Sequence, residues 1–350
     1  MEVSDYRRQS RKRIALILIL AAVTVVIAIY SLCISKYYIS FSEALDIVVK
    51  NLHGITFESY TERLKSFIVW DSHVPMAIAA ILVGGVLGIS GAVMQILIRN
   101  PVADPYTTGI SSGALFGVAI FIILGAGFTD LAYDTGLMIN AFIFSLIPIG
   151  AIILFSVFKK VTPTVMVLIG IAVMYVFSAM TTLLKYTASD EDVASIYAWS
   201  VGTLDNVSWD AIPYIIFAYL LILISMMIYS NRLNVLSSGE SASKSLGENP
   251  TRLRLICLVL ISVSVSISVC FTGTIGFVGL IAPHISRVLV GSNAKYLIPC
   301  SAVSGSLILI ASECVARCIG STGLDVGVVT ALIGGPVFLY FLVKLRKGTW

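Results

Sequence analysis

The chain contains few charged residues and very few histidines. Asp, Glu, Lys and Arg account for 12% of its 350 residues, and there are 3 histidines. Hydrophobic residues account for 58%, and the mean hydropathy is +0.97. This composition lacks the polar residues that cover a water-exposed surface, which excludes a soluble globular protein. The net charge of +4 is explained below by membrane orientation, so no nucleic-acid partner is expected.

Long polar segments are also missing, and long apolar runs take their place. Runs of about 18 or more apolar residues are typical of helices that cross a bilayer. The loops between them are too short to hold a soluble catalytic domain. We therefore predict an all-α integral membrane protein with a single transmembrane domain over residues 1–350. Ten predicted spans lie near residues 14–34, 75–98, 106–128, 135–158, 163–185, 210–230, 253–272, 275–291, 296–319 and 326–343.

Cations and acids alternate between the loops. If the basic segment 1–13 is cytoplasmic, the inner segments carry 17 of the 23 lysines and arginines. The outer segments collect acids instead, among them Glu58, Glu62 and the run at 190–192. This is the positive-inside distribution of membrane proteins. It predicts a multi-pass protein in a lipid bilayer with both termini in the cytoplasm.

Metal-binding patterns are absent from the sequence. The six cysteines lie in apolar stretches, and no histidine or carboxylate pattern accompanies Cys314 and Cys318, which share a helix face. We expect these thiols to pack as small hydrophobic groups, and we expect no metal site.

A short polar segment at 239–247, Gly-Glu-Ser-Ala-Ser-Lys-Ser-Leu-Gly, interrupts the apolar sequence. Ser237 and Glu240 have the spacing of a capping box, and Gly247 is placed to end a helix of about two turns. Gly239, Ala242 and Leu246 would share one small apolar face. The segment therefore predicts a short exposed helix that docks into a groove of a partner.

The same segment resembles a phosphate-binding loop only superficially. Ser243 stands where a P-loop has the glycine before its lysine, and no strand leads into it. The chain is therefore expected to bind no nucleotide or other cofactor. Any ATP would be hydrolysed, with Mg²⁺, on a partner subunit.

Two further polar islands lie at 95–105 and 276–287. The first ends one helix and starts another with two prolines, Pro101 and Pro105. In the second, His284 and Arg287 lie near the inner end of a span. They are compatible with a proton relay, because ionisable groups in membranes are often functional. Snorkelling and packing at a helix end explain them as well, and this is the interpretation we favour.

Together these segments resemble the FecCD-type permeases. The matching stretches are Gly-Ile-Ser-Gly-Ala-Val-Met-Gln at 88–95, Arg-Asn-Pro-Val-Ala-Asp-Pro at 99–105, Gly-Phe-Val-Gly-Leu at 276–280 with Pro-His-x-x-Arg at 283–287, and Val328–Pro336. The resemblance implies a ten-helix permease of the vitamin B12 type in the cytoplasmic membrane of a prokaryote. It also implies that the chain is not an enzyme but a subunit of an ABC importer for an iron-siderophore, haem or cobalamin. Its partners would be ABC ATPase subunits, a second permease chain and an extracytoplasmic substrate-binding protein.

The resemblance assigns roles to individual residues. Arg317 would dock the binding protein, although its spacing from Glu313 also fits an i, i+4 ion pair. Thr162 and Thr164 would lie in the region of the cytoplasmic gate, near Lys159–Thr164. The coupling helix that enters the ATPase would include Gly239, Glu240, Ala242 and Gly247. The motif residues would be Gln95, Asn100, Pro101, Asp104, Pro105, Gly276, Pro283, His284 and Arg287.

Two departures from the family pattern concern the outer surface. The family's Arg-x-Pro-Arg before the second helix is replaced by His73-Val74-Pro75-Met76, and its Glu-x-Pro before the last helix by Gly323-Leu324-Asp325. The missing arginines resemble docking contacts, so a different docking mode or a heterodimer is implied.

Two other functions predict sequence features that differ from those of a permease. A secondary transporter driven by an ion gradient predicts carboxylates in mid-membrane and inverted repeats, whereas Glu313 is the acid clearly inside a span and no repeat is evident. A membrane enzyme requires a nucleophile and a base, and His284 has no recognisable partner for such chemistry.

Overall fold

The computed structural model describes residues 3–127, 133–158, 162–320 and 323–345. Within these residues all regular secondary structure is helical, as predicted, and there is no strand. A π-helical segment, Phe67–His73, joins α3 to α4, and a 3₁₀ turn, Pro105–Thr108, precedes α5. The α-helices are α1 Val3–Ser31, α2 Phe41–Leu52, α3 Tyr60–Ser66, α4 Val74–Ile98, α5 Ile110–Leu124, α6 Tyr133–Phe158, α7 Pro163–Lys185, α8 Asp190–Val201, α9 Ile212–Ser237, α10 Glu240–Ser245, α11 Pro250–Thr272, α12 Val278–Val290, α13 Ala294–Cys318 and α14 Val326–Leu345.

Each of the ten predicted spans coincides with one of these helices, and several helices, among them α1 and α9, extend beyond the predicted bounds. In the described residues, seven helical runs are long and apolar enough to cross a membrane, and α5, α12 and the apolar part of α14 are shorter. The prediction made α5 and α12 too long. The 3₁₀ turn and Gly109, at φ +94°, delay the start of α5, and Phe277, at φ +66°, delays that of α12.

The bundle has two ends, which differ in charge. We name them the α10 face and the α8 face after the short helices that they carry. Hydrogen bonds from Arg99 to Ser237 and from Asn234 to Asn293 join elements of the α10 face. On the α8 face the indole of Trp209 donates to the carbonyl of Trp70 at 2.9 Å. The predicted inner cations in the described residues belong to the α10 face, and the acids of 190–192 begin α8.

Helix α4 forms the centre of the bundle. Of its 25 residues, 20 are buried, and its main neighbour is α13. Glycines make the contact: a side chain on Gly84 would meet the backbone of Gly305, and one on Gly88 would meet the carbonyl of Ser301. Backbones approach this closely in membranes because packing, rather than hydrophobicity, holds helices together there.

The α8 face carries elements that the sequence predicted only in part. Helices α2 and α3 lie between the first two predicted spans. The π-helical segment was not predicted, and with it α3 and α4 form one continuous helical run from Tyr60 to Ile98. Helix α8 was also missed, although Ser189 and Asp192 form a capping box at its start. Its 12 residues are too short for a hydropathy signal.

Candidate functional site

Helix α10 lies between two glycines, but its start differs from the prediction. The capping box of Ser237 and Glu240 is wrong: Ser237 is the last residue of α9, and its hydroxyl donates to Asn234 at 2.7 Å. Gly239 precedes α10 instead, at φ +124°, a conformation that residues with a side chain rarely adopt. Gly247, at φ +81°, ends the helix as predicted.

The C-terminus of α10 is a Schellman motif. The amide of Gly247 donates to Lys244 at 3.0 Å, and that of Glu248 donates to Ser243 at 2.9 Å. These bonds satisfy carbonyls that a six-residue helix would otherwise leave without partners. The segment is therefore an ordered helix.

The face of α10 that packs on the bundle is not the predicted one. Ser243 is fully buried, and its hydroxyl contacts the carbonyls of Gly239 at 2.6 Å and Val235 at 3.0 Å. Ala242 is half-buried, and Leu246 is 68% exposed. The predicted apolar face of Gly239, Ala242 and Leu246 is thus divided, and Leu246 remains exposed on the α10 face.

Glu240 is held from inside the bundle. Its carboxylate accepts a hydrogen bond from Arg254 Nη1 at 2.6 Å, and Arg254 Nε donates to the carbonyl of Leu97 at 3.1 Å. The side chain of Arg254 is 1% exposed, and that of Glu240 is 42% exposed. The Arg254 guanidinium lowers the pKa of Glu240 below its usual value, because it stabilises the carboxylate form.

This role of Arg254 was not predicted from the sequence. Arg252 and Arg254 stand two residues apart near the start of α11, so they point in different directions from the helix. Arg252 is exposed and Arg254 is buried. Charge and hydropathy are the same for both, so the sequence contains no signal that distinguishes them.

The polar island at 95–105 lies next to α10. Arg99 ends α4 in the left-handed conformation, at φ +55°, and its Nη2 donates to the carbonyl of Ser237 at 3.0 Å. Asn100 accepts a hydrogen bond from the amide of Val102 at 3.0 Å, which shapes the turn that contains Pro101. The structure therefore joins the first predicted island to the residues that precede α10.

Asp104 and Pro105 form the second half of this turn. Asp104 Oδ1 accepts a hydrogen bond from the amide of Tyr106 at 2.8 Å, which caps the 3₁₀ turn begun by Pro105. A side chain on Gly279 would lie 2.8 Å from Asp104 Oδ2, so the carboxylate packs directly on α12. Burial raises the pKa of Asp104 to about 6, because desolvation penalises the carboxylate.

The third island, 276–287, packs on the first. Arg287 Nη1 donates to Gln95 Oε1 at 2.6 Å, and His284 Nδ1 lies 2.7 Å from the carbonyl of Leu280. The His284 ring also makes an edge contact with Phe338 on α14. Pro283 lies inside α12, and Gly276 precedes the left-handed Phe277. This geometry agrees with helix-end packing, the interpretation favoured for His284 and Arg287.

Arg317 lies on the α8 face, far along the chain from these islands and mostly buried. Its Nε contacts Glu313 at 2.8 Å, its Nη1 donates to Ser31 at 3.2 Å, and its Nη2 lies 3.2 Å from the sulfur of Met76. The side chain is 12% exposed, so the i, i+4 ion pair is present and little of the guanidinium reaches the surface. Met76 and His73 are themselves buried where the family has arginines.

The region assigned to the gate is described only in part. Thr162 caps α7 by accepting a hydrogen bond from the amide of Val165 at 3.3 Å, and Thr164 is exposed in the first turn. Residues 159–161 lie outside the described residues. The gate assignment of Thr162 and Thr164 stays a prediction.

Asp104→Asn tests the balance between capping and burial in the turn. Asparagine keeps an oxygen for the amide of Tyr106 but carries no charge. The folded pKa of Asp104, about 6, exceeds its ordinary value of 3.8, so native stability falls as the pH rises through that window. Because pH 5 lies one unit below the folded pKa, we expect the stability of the variant relative to the native chain to rise by about 1.4 kcal/mol between pH 5 and pH 8. Thermal unfolding of the purified protein at both pH values measures this gain.

Asp104→Ala is the matched control, because it loses both the charge and the acceptor. Loss of a cap of this kind costs about 1 kcal/mol. A stability difference between Asp104→Asn and the native chain that is the same at pH 5 and pH 8 would show that the carboxylate does not carry an elevated pKa.

The sequence is similar to those of known proteins over most of its length. The model of the FecCD transport family matches residues 22–344. The Fe(3+)-citrate import system permease protein YfmE of Bacillus subtilis (strain 168) is 35% identical over 96% of this chain and 96% of its own. The molybdate import system permease protein MolB of Haemophilus influenzae is 30% identical over 94% of this chain and 95% of its own.

A solved structure gives the same result for the fold. It is described as an inward-facing conformation of a metal-chelate type ABC transporter, and it superposes with a TM-score of 0.82 at 30% identity. The match covers 95% of this chain and 99% of that one. Family model, relatives and structure agree over nearly the whole length, so the chain belongs to the FecCD transport family and is a membrane-spanning permease of the ABC importer type.

Proposed function

We propose that this chain forms one half of an importer in which α10 docks into a separate ABC ATPase subunit. The observation that carries the proposal is the geometry of α10: a short ordered helix, fixed to the bundle by Ser243 and Glu240, that presents Leu246 outward. A helix displaying an apolar side chain on a rigid support suits recognition in a groove. ATP and Mg²⁺ would bind to the ATPase, whose closure would move α10 and alternate access to the path.

The charge distribution supports an orientation with the α10 face in the cytoplasm. The basic first turns of α1, the turn at Arg99 and the start of α11 all belong to this face. Lysine and arginine are retained on the cytoplasmic side of membranes. Both termini would then be cytoplasmic in the inner or plasma membrane of a prokaryote, and the α8 face would meet an extracytoplasmic substrate-binding protein.

A second permease chain, identical or different, would complete the path. Several helices display large apolar side chains outward. In α7 and α9, for example, most residues of the apolar stretch are not buried. Lipid and a partner helix can both cover such faces. We propose a dimer with one α10 in each half, so that two ATPase subunits can act together.

The cargo we propose is an iron chelate, haem or cobalamin, which the binding protein would select. The named relatives import Fe(3+)-citrate and molybdate, so permeases of this kind serve cargoes of different chemistry. Purifying the cognate binding protein from cells and identifying its ligand by mass spectrometry tests the choice. An iron, haem or cobalamin ligand supports it, and an oxyanion without a chelate would overturn it.

Leu246→Asp tests the docking role of α10. The side chain is 68% exposed, so the change leaves the fold intact but places a carboxylate in the proposed apolar contact. Loss of such an anchor costs about 2 kcal/mol or more, which corresponds to at least about a thirtyfold weaker association. We expect ATP-driven uptake into proteoliposomes and co-purification of the ATPase to fall together.

Leu52→Asp is the matched control, because Leu52 ends α2 on the α8 face and is 69% exposed. It should leave co-purification of the ATPase unchanged. Glu240→Arg is a less direct test, since it also removes the partner of Arg254. Uptake that survives Leu246→Asp without any ATPase and follows an ion gradient would contradict the proposal and favour a secondary transporter.

A further inference from the structure

We infer that Arg254 is the positioning residue that makes α10 and α4 move as one unit. The inference rests on the proposed function for its consequence in transport, but its structural part stands on contacts within this chain. Arg254 belongs to α11, yet its guanidinium contacts both other helices: Glu240 on α10 and the carbonyl of Leu97 on α4. One side chain therefore joins three elements that are separate in sequence.

The contact with Leu97 uses a carbonyl that α4 cannot satisfy by itself. Helix α4 ends at Ile98, and the last four carbonyls of a helix have no intrahelical donor. Arg254 Nε supplies one donor at 3.1 Å. Because α4 is mostly buried, few water molecules can donate to the carbonyls at this end of the helix. The bond to Leu97 therefore fixes the position of the Arg254 guanidinium along α4.

The contact with Glu240 uses the other side of the same planar group. A guanidinium presents its donors in a fixed fork, so the directions of the Leu97 and Glu240 bonds are set relative to each other. Lysine has the same charge but a single ammonium on a flexible stem and cannot hold both acceptors in this way. At 1% exposure the guanidinium is shielded from water, which strengthens the bonds that it donates, although the Glu240 carboxylate itself stays 42% exposed.

Another arginine makes a parallel but more exposed contact. Arg99 Nη2 donates to Ser237 just before α10, and the bond lies near the surface. Exposed contacts of charged groups contribute little, so the contacts of Arg254 with Glu240 and Leu97 are the stronger connection between α10 and α4. We call these two contacts the Arg254 tie. From α4 the displacement passes to α13, since the glycine contacts at Gly84 and Gly88 leave no slack between the two backbones.

The role makes a specific prediction for Arg254→Lys and Arg254→Met. Without the tie, α10 still packs through Ser243 and still displays Leu246, so the ATPase binds and hydrolyses ATP. The movement of α10 no longer reaches α4, so uptake per ATP hydrolysed falls by about tenfold or more. A residue that merely stabilised the fold would lower ATP hydrolysis and uptake together.

The experiment has two measurements on matched variants. The first is amide hydrogen exchange of residues 240–248 in the purified chain without any partner, where we expect about tenfold faster exchange in Arg254→Lys and Arg254→Met. The second is uptake and ATP hydrolysis by the reconstituted complex. Arg252→Met is the control, because Arg252 is exposed two residues away and loses the same charge. It should change neither measurement.

Glu240→Ala removes the α10 side of the tie without touching the core, since Glu240 is 42% exposed. It decides the question if the Arg254 variants do not fold. We expect the same faster exchange, and no further effect when both changes are combined, because the two residues act through one contact. Unchanged exchange in Glu240→Ala and in any folded Arg254 variant would overturn the inference. A different outcome is faster exchange in the variants together with a native chain that neither binds an ATPase nor imports. That outcome would refute the proposed function but would still support the contact of Arg254 with α10 and α4.

Discussion

Gly88→Ala is expected to prevent the bundle from reaching its native packing. A β-carbon at Gly88 would overlap the carbonyl oxygen of Ser301, and neighbouring Gly84 packs equally closely on Gly305. The obstacle is backbone, so no side chain can rotate away, and α4 and α13 would have to separate. Overpacking against side chains already costs about 1–3 kcal/mol, and we expect at least about 3 kcal/mol here. The yield of monodisperse protein and its thermal unfolding measure the loss.

Gly150→Ala provides the matched control for this change. Gly150 lies inside α6, and a β-carbon there would meet no heavy atom within 4 Å. Alanine is the better helix former, so this variant should be as stable as the native chain or more stable by up to about 1 kcal/mol. Equal yield and equal melting temperature for the two variants would show that α4 and α13 do not touch through their backbones.

Arg317→Gln is expected to lower stability by about 3–5 kcal/mol, because it leaves a buried carboxylate without its cation. The Glu313 side chain is 4% exposed and pairs with Arg317 at 2.8 Å. Glu313→Gln/Arg317→Gln removes both charges and should recover most of the loss, since a neutral pair of similar size needs no counterion. Thermal unfolding of the single and double variants checks this order.

The same variants separate an internal role of Arg317 from docking. Under an internal role, the double variant restores both folding and association with the binding protein. If Arg317→Gln melted like the native chain and only association with the binding protein were lost, docking would be the role of Arg317. The 12% exposure of its side chain makes the internal role the one we expect.

Hydropathy was sufficient to predict the helices of the bundle because the bilayer imposes one length and one polarity on each span. It was not sufficient for their ends. Helix α5 starts late because Asp104 and Pro105 form a 3₁₀ turn, which depends on one side-chain hydrogen bond and not on polarity. The π-helical segment does not stand out in composition from the helical residues beside it, so a hydropathy average along the chain does not reveal it either.

The polar segment at 239–247 shows the same division. Two glycines and a run of polar residues were enough to predict a short helix at 239–247, since a polar interruption in a membrane chain must leave the lipid. The buried face was predicted wrongly, because Ser243 is polar yet packs inward by donating its hydroxyl to α9 and to its own first turn. Arg254 was missed for a related reason: its importance comes from Leu97, 157 positions away in the chain.

The continuous helical run from Tyr60 to Ile98 is longer than one crossing of a membrane requires. At about 1.5 Å per residue its 39 residues would measure roughly 58 Å, about twice the thickness of the hydrocarbon core. Because it ends beside Arg99 on the α10 face, the excess stands out on the opposite side, where α3 carries Glu62, Arg63 and Lys65. The run is therefore too long to lie within the hydrocarbon core, and its polar start at α3 belongs outside it. A large soluble molecule that binds on that side would therefore find α3, and the helix α2 that packs against it, as part of its contact surface in addition to the ends of the spans.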